Sequence, residues 1–237
     1  MISPVAGVLS SLLHGWVYLG WRRVGLFLVV TALGSLFLET FGVATGLLYG
    51  HYHYTYRMGP LFLGLTPYLI PLTWFMMLYP AYMMSLTIAR RFASAKLWVK
   101  QVVIASLGGL IMTSWDLVLD PVMVKQQHWI WETDGLYFGI PLQNYLGWWL
   151  TSFIILMVFQ WFDSRVLHGQ ENPQAGLERL SNLIYLIIGM GNITGAMITG
   201  LWGPAWIALG AMGFWTIVFW AEQKRNIQII AMESPGD

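Results

Sequence analysis

The feature that most constrains this chain is a series of long apolar segments, each about the length needed to cross a lipid bilayer. Hydrophobic runs bounded by glycine, proline or charge predict helices near residues 2–20, 24–48, 60–88, 98–120, 138–162, 177–198 and 202–222. A helix needs about 20 mostly apolar residues to cross the hydrocarbon core. The 237-residue chain is also 57% hydrophobic and only 10% charged. The sequence therefore predicts an all-α, polytopic transmembrane helical bundle of six or seven spans, in which residues 1–237 form a single integral membrane domain.

Basic residues are distributed unevenly between the two sides of this predicted bundle. If the spans alternate, only Arg57 and Lys125 fall on one side, and the other side carries Arg22, Arg23, Arg90, Arg91, Lys96, Lys100, Arg165, Arg179, Lys224 and Arg225. Because Lys and Arg accumulate in cytoplasmic loops, we expect a cell-membrane protein with a cytoplasmic C-terminus. The segment 2–20 lacks the basic start and cleavage site of a signal peptide, so it is predicted to be a retained span or an interfacial helix. The clearest polar loop is predicted over 163–176.

Composition and motifs exclude several classes of function. The formal net charge is +1, so overall electrostatics favour no nucleic-acid partner. Cysteine is absent, which excludes disulfides, thiolate metal sites and cysteine nucleophiles. The histidines form no HxxxH or HxxHH box, and there is neither a GxGxxG motif nor a P-loop to bind a nucleotide. We therefore expect no bound metal and no organic cofactor.

Three acidic residues, Glu39, Asp116 and Asp120, fall within the predicted spans. A charge at that depth costs roughly 2.5–3.5 kcal/mol on insertion scales, so these residues are the first candidates for function. Asp116 and Asp120 lie four apart in LIMTSWDLVLDPVM, which places them one turn apart on one helix face, and Pro121 is expected to end that helix. Two like charges so close in a low dielectric resist ionising together, so the pair can provide both an acid and a base.

Alternating topology brings other polar groups to the side on which all three acids lie. Asn144 falls near the start of its span on this side, and Asn192 lies in the same half of its own span. Asn side chains in bundles usually hydrogen-bond between helices, and this role is favoured for Asn192. The loops 49–59 and 121–137 on the same side are rich in Tyr and Trp, most of which an interfacial aromatic belt would explain.

Acid–base chemistry on an apolar substrate is one activity that these residues favour. A carboxylic acid can protonate an isolated trisubstituted alkene to give a tertiary cation, and a carboxylate-activated water can then trap that cation. Aromatic faces stabilise such a cation by roughly 0.5–2 kcal/mol each. The residue types alone leave this as one reaction among several.

Four blocks of sequence carry a family resemblance: FLETFGVATGLLYGHYHYTYRMGP (37–60), IPLTWFMMLYPAY (70–82), TSWDLVLDPVM (113–123) and WIWETDGLYFGIPLQNYLGWWLTS (129–152). Together they resemble the CruF-type carotenoid hydratases, which include γ-carotene 1′,2′-hydratases of bacteria and bisanhydrobacterioruberin hydratases of haloarchaea. The resemblance implies a cofactor-independent lyase that adds water across the terminal C1–C2 double bond of an acyclic ψ end group. The implied partners are a lipophilic carotenoid such as lycopene or γ-carotene, the lipid bilayer, and other enzymes of carotenoid biosynthesis.

The matched blocks contain the residues to which we assign expected catalytic roles. Asp116 or Asp120 is the expected general acid, and Glu39 or the other aspartate is the expected base. Asn144 is expected to position the attacking water. These roles follow from the chemistry of the side chains at the matched positions.

The substrate is expected to enter sideways from the lipid, through an opening between helices. Its end group is expected to contact Trp115, Trp131, Tyr137 and Asn192. Glu132 and Asp134 follow the predicted helix break, so they are expected to be solvated loop charges.

Other functions remain open at this point. Another carotenoid end-group enzyme, a cyclase or an isomerase, would form the same cation without admitting water. A proton-coupled transporter also uses membrane carboxylates. A passive carotenoid-binding or assembly subunit would use the same apolar surfaces without any chemistry.

Overall fold

The chain folds into a helical bundle with a small β-ribbon at one end. The computed structural model describes residues 4–92, 94–167 and 177–233, and we name its elements over these ranges. The helices are α1 (Pro4–Leu19), α2 (Trp21–Thr45), α3 (Ile70–Ala89), α4 (Leu97–Lys125), α5 (Leu142–Phe162), α6 (Leu177–Ile198) and α7 (Trp202–Glu233). The strands are β1 (Tyr52–Tyr54), β2 (Leu61–Phe62), β3 (Thr66–Pro67) and β4 (Trp129–Trp131).

Six of the helices in the described residues, α2 to α7, are long and apolar enough to cross a membrane. The 16 residues of α1 extend about 24 Å, less than a hydrocarbon core of about 30 Å. The predicted all-α membrane bundle is therefore confirmed, with six long spans and one shorter helix. In the predicted polar loop, residues 163–167 form a π-helical turn that follows α5, and residues 168–176 lie outside the described residues.

The core of the bundle surrounds α3, which packs against α1, α2, α4, α6 and α7. Most of its side chains are buried. The prediction that this helix begins near residue 60 was wrong, because residues 61–67 form the β2–β3 hairpin. Prolines explain the late start: Pro67 keeps the residue before it extended, and Pro71 occupies the first turn of α3, where its missing N–H leaves no helical bond unmade.

The helix α4 runs through Pro121 and ends at Lys125, so the prediction that Pro121 ends it was wrong. Proline has no N–H, which leaves the carbonyl four residues earlier without its helical donor. In α4 that carbonyl belongs to Leu117, and the hydroxyl of Tyr137 donates to it at 2.9 Å. A side chain from the next connection therefore replaces the lost backbone bond and allows the helix to continue.

The central helix α3 also has a proline inside it, Pro80. Here too, a side chain from another element binds the carbonyl that the proline leaves without a helical donor. The carbonyl of Met76, four residues earlier, accepts a hydrogen bond from the Ser11 hydroxyl of α1 at 3.0 Å. Because Ser11 and Met76 are buried, this bond satisfies a polar group that has no access to water. It also ties the short helix α1 to the centre of the bundle.

The connections after α2 and α4 pair with each other as a two-stranded antiparallel ribbon. In this ribbon Tyr52 lies opposite Trp131, and Tyr54 lies opposite Trp129. The chain turns out of α2 at Gly46, whose left-handed φ of 69° is readily adopted only by glycine. We call the end of the bundle that carries this ribbon the ribbon end.

Several aromatic side chains in and next to the ribbon are buried in the protein, whereas those of an interfacial belt would lie against the lipid headgroups. Successive residues of a strand face opposite sides, so Tyr52 and Tyr54 are buried while His53 is exposed. Tyr49 and Trp129 are also buried. The prediction of a belt was wrong for these four aromatic residues, because the pairing of two distant loops turns them toward the helices.

Candidate active site

A cavity of about 360 Å³ lies inside the ribbon end of the bundle. The residues around its deep part are all buried: Glu39, Tyr52, Tyr54, Trp74, Trp115, Asp120, Asn144 and Trp148. The residues around its outer part are partly or fully exposed, and they include Pro4, Arg57, Met58, Thr73, Met123 and Gly191. The cavity therefore has a closed polar end within the bundle and a mouth at its surface.

Three aromatic side chains hold Glu39 at the closed end. The Tyr52 hydroxyl donates to Oε2 at 2.5 Å, the Tyr54 hydroxyl donates to the same oxygen at 3.2 Å, and the Trp74 indole N–H donates to Oε1 at 3.0 Å. Glu39 is only 2% exposed. Both of its oxygens therefore accept hydrogen bonds without any contribution from water.

The two tyrosines of this cluster keep their protons. Burial raises the pKa of Tyr52 well above its usual range, and the negative charge of Glu39 raises it further. The same two causes, in the same order, raise the pKa of Tyr54. Both phenols therefore remain hydrogen-bond donors to the carboxyl group over the physiological pH range.

A second carboxyl centre lies on α4. Asp116 and Asp120 are one helical turn apart, and the amide Nδ2 of Asn144 on α5 donates to Oδ2 of both, at 3.1 Å for Asp116. Neither aspartate is more than 1% exposed. Two buried carboxyl groups bound to one amide in a low dielectric resist ionising together, so the pair favours retaining a proton.

Acidic residues at the two ends of the bundle differ in their partners. At the end opposite the ribbon each of three carboxylates pairs with an arginine: Asp163 with Arg23, Glu178 with Arg90, and Glu222 with Arg91. No ion pair among the described residues includes Glu39, Asp116 or Asp120. A buried membrane acid without a cationic partner is difficult to explain as a structural element, so these three remain the candidates for chemistry.

Indole rings form much of the wall next to the acids. Trp74 and Trp148 stack with their ring centroids 4.4 Å apart, and Trp115 meets Trp148 edge to face at 6.2 Å. The ribbon adds Trp129 and Trp131. The cavity therefore combines carboxyl groups with aromatic π-systems, the two kinds of group that stabilise a positive charge away from water.

The structure brings most of the predicted site residues together around this cavity: Glu39, Trp115, Asp120, Trp131, Asn144 and Asn192 all border it. Asp116 is bonded to Asn144 immediately beside Asp120 but does not itself border the cavity. Tyr137 does not border it either, and its hydroxyl is bound to the backbone of α4. Glu132 and Asp134 are exposed, as expected for solvated loop charges.

Sequence reasoning missed Tyr52, Tyr54, Trp74 and Trp148 as members of the site. The alternation in the segment Tyr52–Tyr54 could have placed both tyrosines on one face. Nothing local could have shown that this face meets Glu39, because that contact depends on the pairing of β1 with β4. Within the described residues, no group of three or more His, Asp or Glu side chains is arranged to hold a metal ion.

Comparison with known proteins connects this cavity to a family. Residues 1–215 match a family model described as carotenoid biosynthesis protein. A bisanhydrobacterioruberin hydratase of Haloarcula japonica is 33% identical over 207 residues, which cover 82% of this chain and 64% of that relative. The chain thus spans slightly less than two thirds of the relative's length, and no solved structure matches it. The resemblance to the CruF-type hydratases is confirmed, and the chain belongs to the carotenoid biosynthesis protein family.

Proposed function

We propose that this protein is a carotenoid hydratase that adds water to the terminal C1–C2 double bond of an acyclic ψ end group, as in lycopene or γ-carotene. One observation carries the proposal: a pair of carboxyl groups bound by one amide and a separate carboxyl group held by three donors meet at one aromatic cavity in a membrane bundle. The family match and the hydratase relative support the choice of substrate and reaction.

The first step is protonation of the alkene by the aspartate pair. Asp120 borders the cavity, so it delivers the proton to C2, and the π electrons form the new C–H bond. C1 is left as a tertiary cation. The negative charge that develops on the pair is stabilised by the Asn144 amide, which donates to both carboxyl groups.

The cation is stabilised by the walls of the closed end. The rings of Trp74, Trp115 and Trp148 offer π-systems worth roughly 0.5–2 kcal/mol each to a nearby cation. Glu39 accepts hydrogen bonds from three donors, the pattern of an ionised carboxylate, and its charge opposes that of the cation. These groups are in place before the reaction, so no reorganisation is needed when the charge forms.

Water completes the reaction by attack on C1. Its oxygen forms the C–O bond, and one of its protons passes to the carboxylate that gave up a proton in the first step. The aspartate pair is then restored, and the net change is the addition of one water. Glu39 remains bound to Tyr52, Tyr54 and Trp74 throughout and orients the water by its charge.

Pigment analysis in a host that makes acyclic carotenoids tests this function. The wild-type protein should give a more polar pigment, heavier by one water, and Asp120→Asn should give none although it inserts into the membrane normally. Asp134→Asn, which changes an exposed acid of the ribbon end, is the matched control and should behave as wild type. Normally inserted wild-type protein that leaves the pigments unchanged would rule the proposal out, and a new pigment of unchanged mass would indicate a cyclase or an isomerase.

A further inference from the structure

We infer that the indole N–H of Trp115 and the side-chain amide of Asn192 hold the water that attacks the cation, so that these two residues decide whether the cation is hydrated or reverts to an alkene. The inference rests on the proposed function and goes further, because it gives the water a place in the cavity and gives both residues a positioning role. It follows from two polar groups of the cavity wall that the described parts of the protein leave available.

The first of these groups is the indole N–H of Trp115. Trp115 borders the cavity and is only 2% exposed, and its Nε1 has no hydrogen-bond partner among the described residues. A buried donor without an acceptor is unfavourable, and an indole N–H can only donate. The hydrocarbon end group of a carotenoid offers no lone pair to it. Water and the hydroxyl group of the product do, so this N–H marks a position for the oxygen atom of the reaction.

The second group is the side-chain amide of Asn192, which also borders the cavity and is 7% exposed. Its Nδ2 donates to the Ile188 carbonyl of its own helix at 3.4 Å, which is long for such a bond. The interhelical hydrogen bond favoured for Asn192 from the sequence is therefore not formed with any described residue. The amide oxygen Oδ1 accepts no hydrogen bond within the described ranges, so it is available to a water molecule.

The two groups face the same side of the cavity. The Cδ1 atom of Trp115, which adjoins Nε1 in the ring, lies 4.0 Å from the position that a Cβ on Gly189 of α6 would occupy. Asn192 follows Gly189 by three residues, so it lies about one turn further along the same face of α6. A buried water makes about three hydrogen bonds, and a donor together with an acceptor supplies two of them.

The position of the water decides the fate of the cation. In hydration, a lone pair of the water oxygen forms the bond to C1, and one water proton passes to the carboxylate. In reversal, a C–H bond next to C1 breaks, its electron pair forms a double bond, and the proton returns to the carboxylate. A water that accepts the Trp115 N–H with one lone pair retains the other for attack. Loss of this contact should therefore change the ratio of the two outcomes more than the rate at which the cation forms.

Turnover in deuterium oxide measures both outcomes at once, with the full-length protein in lipid vesicles and an acyclic carotenoid. Early in the reaction, hydration gives the alcohol, and reversal leaves a hydrocarbon that contains deuterium. Trp115→Phe retains an aromatic ring but removes the N–H. We expect the ratio of deuterated hydrocarbon to alcohol to rise by about tenfold or more, while the sum of both products stays within about threefold of wild type. Asn192→Leu removes the amide and should raise the same ratio.

Trp215→Phe is the matched control, because it also removes an indole N–H. That N–H already donates to the Ser114 hydroxyl at 2.9 Å, and Trp215 does not border the cavity, so the ratio should equal that of wild type. Trp129 of the ribbon borders the cavity and has the same unpartnered N–H. A ratio that rises in Trp129→Phe but not in Trp115→Phe would place the water at the ribbon and overturn the inference.

The remaining outcomes separate this inference from the proposed function. If Trp115→Phe or Asn192→Leu lowers both products by the same factor, the residue supports the structure and does not hold the water, and the inference fails while hydration by the wild type stands. If normally inserted wild-type protein forms neither the alcohol nor deuterated hydrocarbon, the proposed function fails, and the inference fails with it.

Discussion

At the scale of single residues, the two carboxyl centres differ in what holds them. Asp116 and Asp120 are adjacent and accept from one amide donor, whereas Glu39 is bound by three N–H or O–H donors. A group that must release and recover a proton needs the first environment, and a group that must stay charged needs the second. This division of roles is the basis of the predictions for individual side chains.

Removal of the shortest bond to Glu39 should slow the reaction without unfolding the protein. Tyr52→Phe deletes a donor at 2.5 Å but retains the ring that stacks on Trp131. We expect turnover to fall by about tenfold or more, because Glu39 loses part of its orientation. Tyr56→Phe is the control, since Tyr56 is 87% exposed, and its turnover should match that of wild type. Equal turnover of the two variants would show that the Tyr52 hydroxyl has no part in the chemistry.

The amide that joins the aspartates should matter to both rate and stability. Asn144→Ala leaves two buried carboxyl groups without their shared donor, a loss worth about 1–3 kcal/mol. We expect a lower midpoint of thermal unfolding in detergent together with a large loss of turnover. Gln143→Ala is a control on the same turn of α5, because Gln143 binds only backbone carbonyls of the connection after α2. Should Asn144→Ala retain full turnover, the aspartate pair would not be the acid.

At the scale of the elements, side chains from neighbouring segments support helices that contain proline. Tyr137→Phe removes the donor to the Leu117 carbonyl and should destabilise the protein by about 1 kcal/mol. Pro121→Ala restores a backbone N–H for that carbonyl, so Tyr137→Phe should cost much less in a Pro121→Ala background. Unfolding in detergent of the wild type, both single variants and the double variant measures this coupling. Additive effects would mean that the hydroxyl does not replace the missing bond.

The sequence predicted the helices better than the connections between them. The helix α6 has the predicted bounds, because an apolar run flanked by polar residues is enough to define a span. The start of α3 and the end of α4 were predicted wrongly, because each depends on a proline whose effect is decided elsewhere in the fold. Neither the hydrophobic periodicity of the sequence nor its composition shows that the Tyr137 hydroxyl would donate to the Leu117 carbonyl, which Pro121 leaves without a helical donor.

The candidate site shows the same division between local and distant information. Asp116 and Asp120 could be paired from the sequence, because their contact lies within one helix. The convergence of Glu39 and Asn144 near them could be inferred from alternating topology. The tyrosines that bind Glu39 could not, because their position depends on a ribbon between segments about 75 residues apart along the chain.

At the scale of the whole molecule, the distribution of charge supports the proposed orientation. The two basic residues at the ribbon end donate to backbone carbonyls just beyond helix C-termini: Arg57 to Gln126, which follows α4, and Lys125 to Thr199, which follows α6. A cation is favourable there, because the C-terminal end of a helix carries partial negative charge. The presence of Arg57 and Lys125 at the ribbon end is therefore explained by the helix ends that they contact. The other Lys and Arg residues still favour a ribbon end that faces away from the cytoplasm.

Labelling of single cysteines tests this orientation directly, since the chain has no cysteine of its own. Leu136→Cys, at a position 90% exposed in the ribbon-end connection, should react with a membrane-impermeant maleimide added to intact cells. Lys96→Cys, in the connection between α3 and α4, should react only after the cells are opened. The opposite pattern would reverse the proposed topology, and the other carotenoid enzymes expected as partners would then have to be sought on the other face of the membrane.

The central claim is that carboxyl groups in a membrane cavity add a water molecule to an isoprenoid end group. The most direct measurement is the source of the oxygen in the product formed by the protein in vesicles with an acyclic carotenoid. In heavy-oxygen water under ordinary O₂, each hydrated end should carry one heavy oxygen atom, and Asp120→Asn should form no labelled product. Heavy oxygen that enters the product only from labelled O₂, or labelled product formed equally well by Asp120→Asn, would contradict the account.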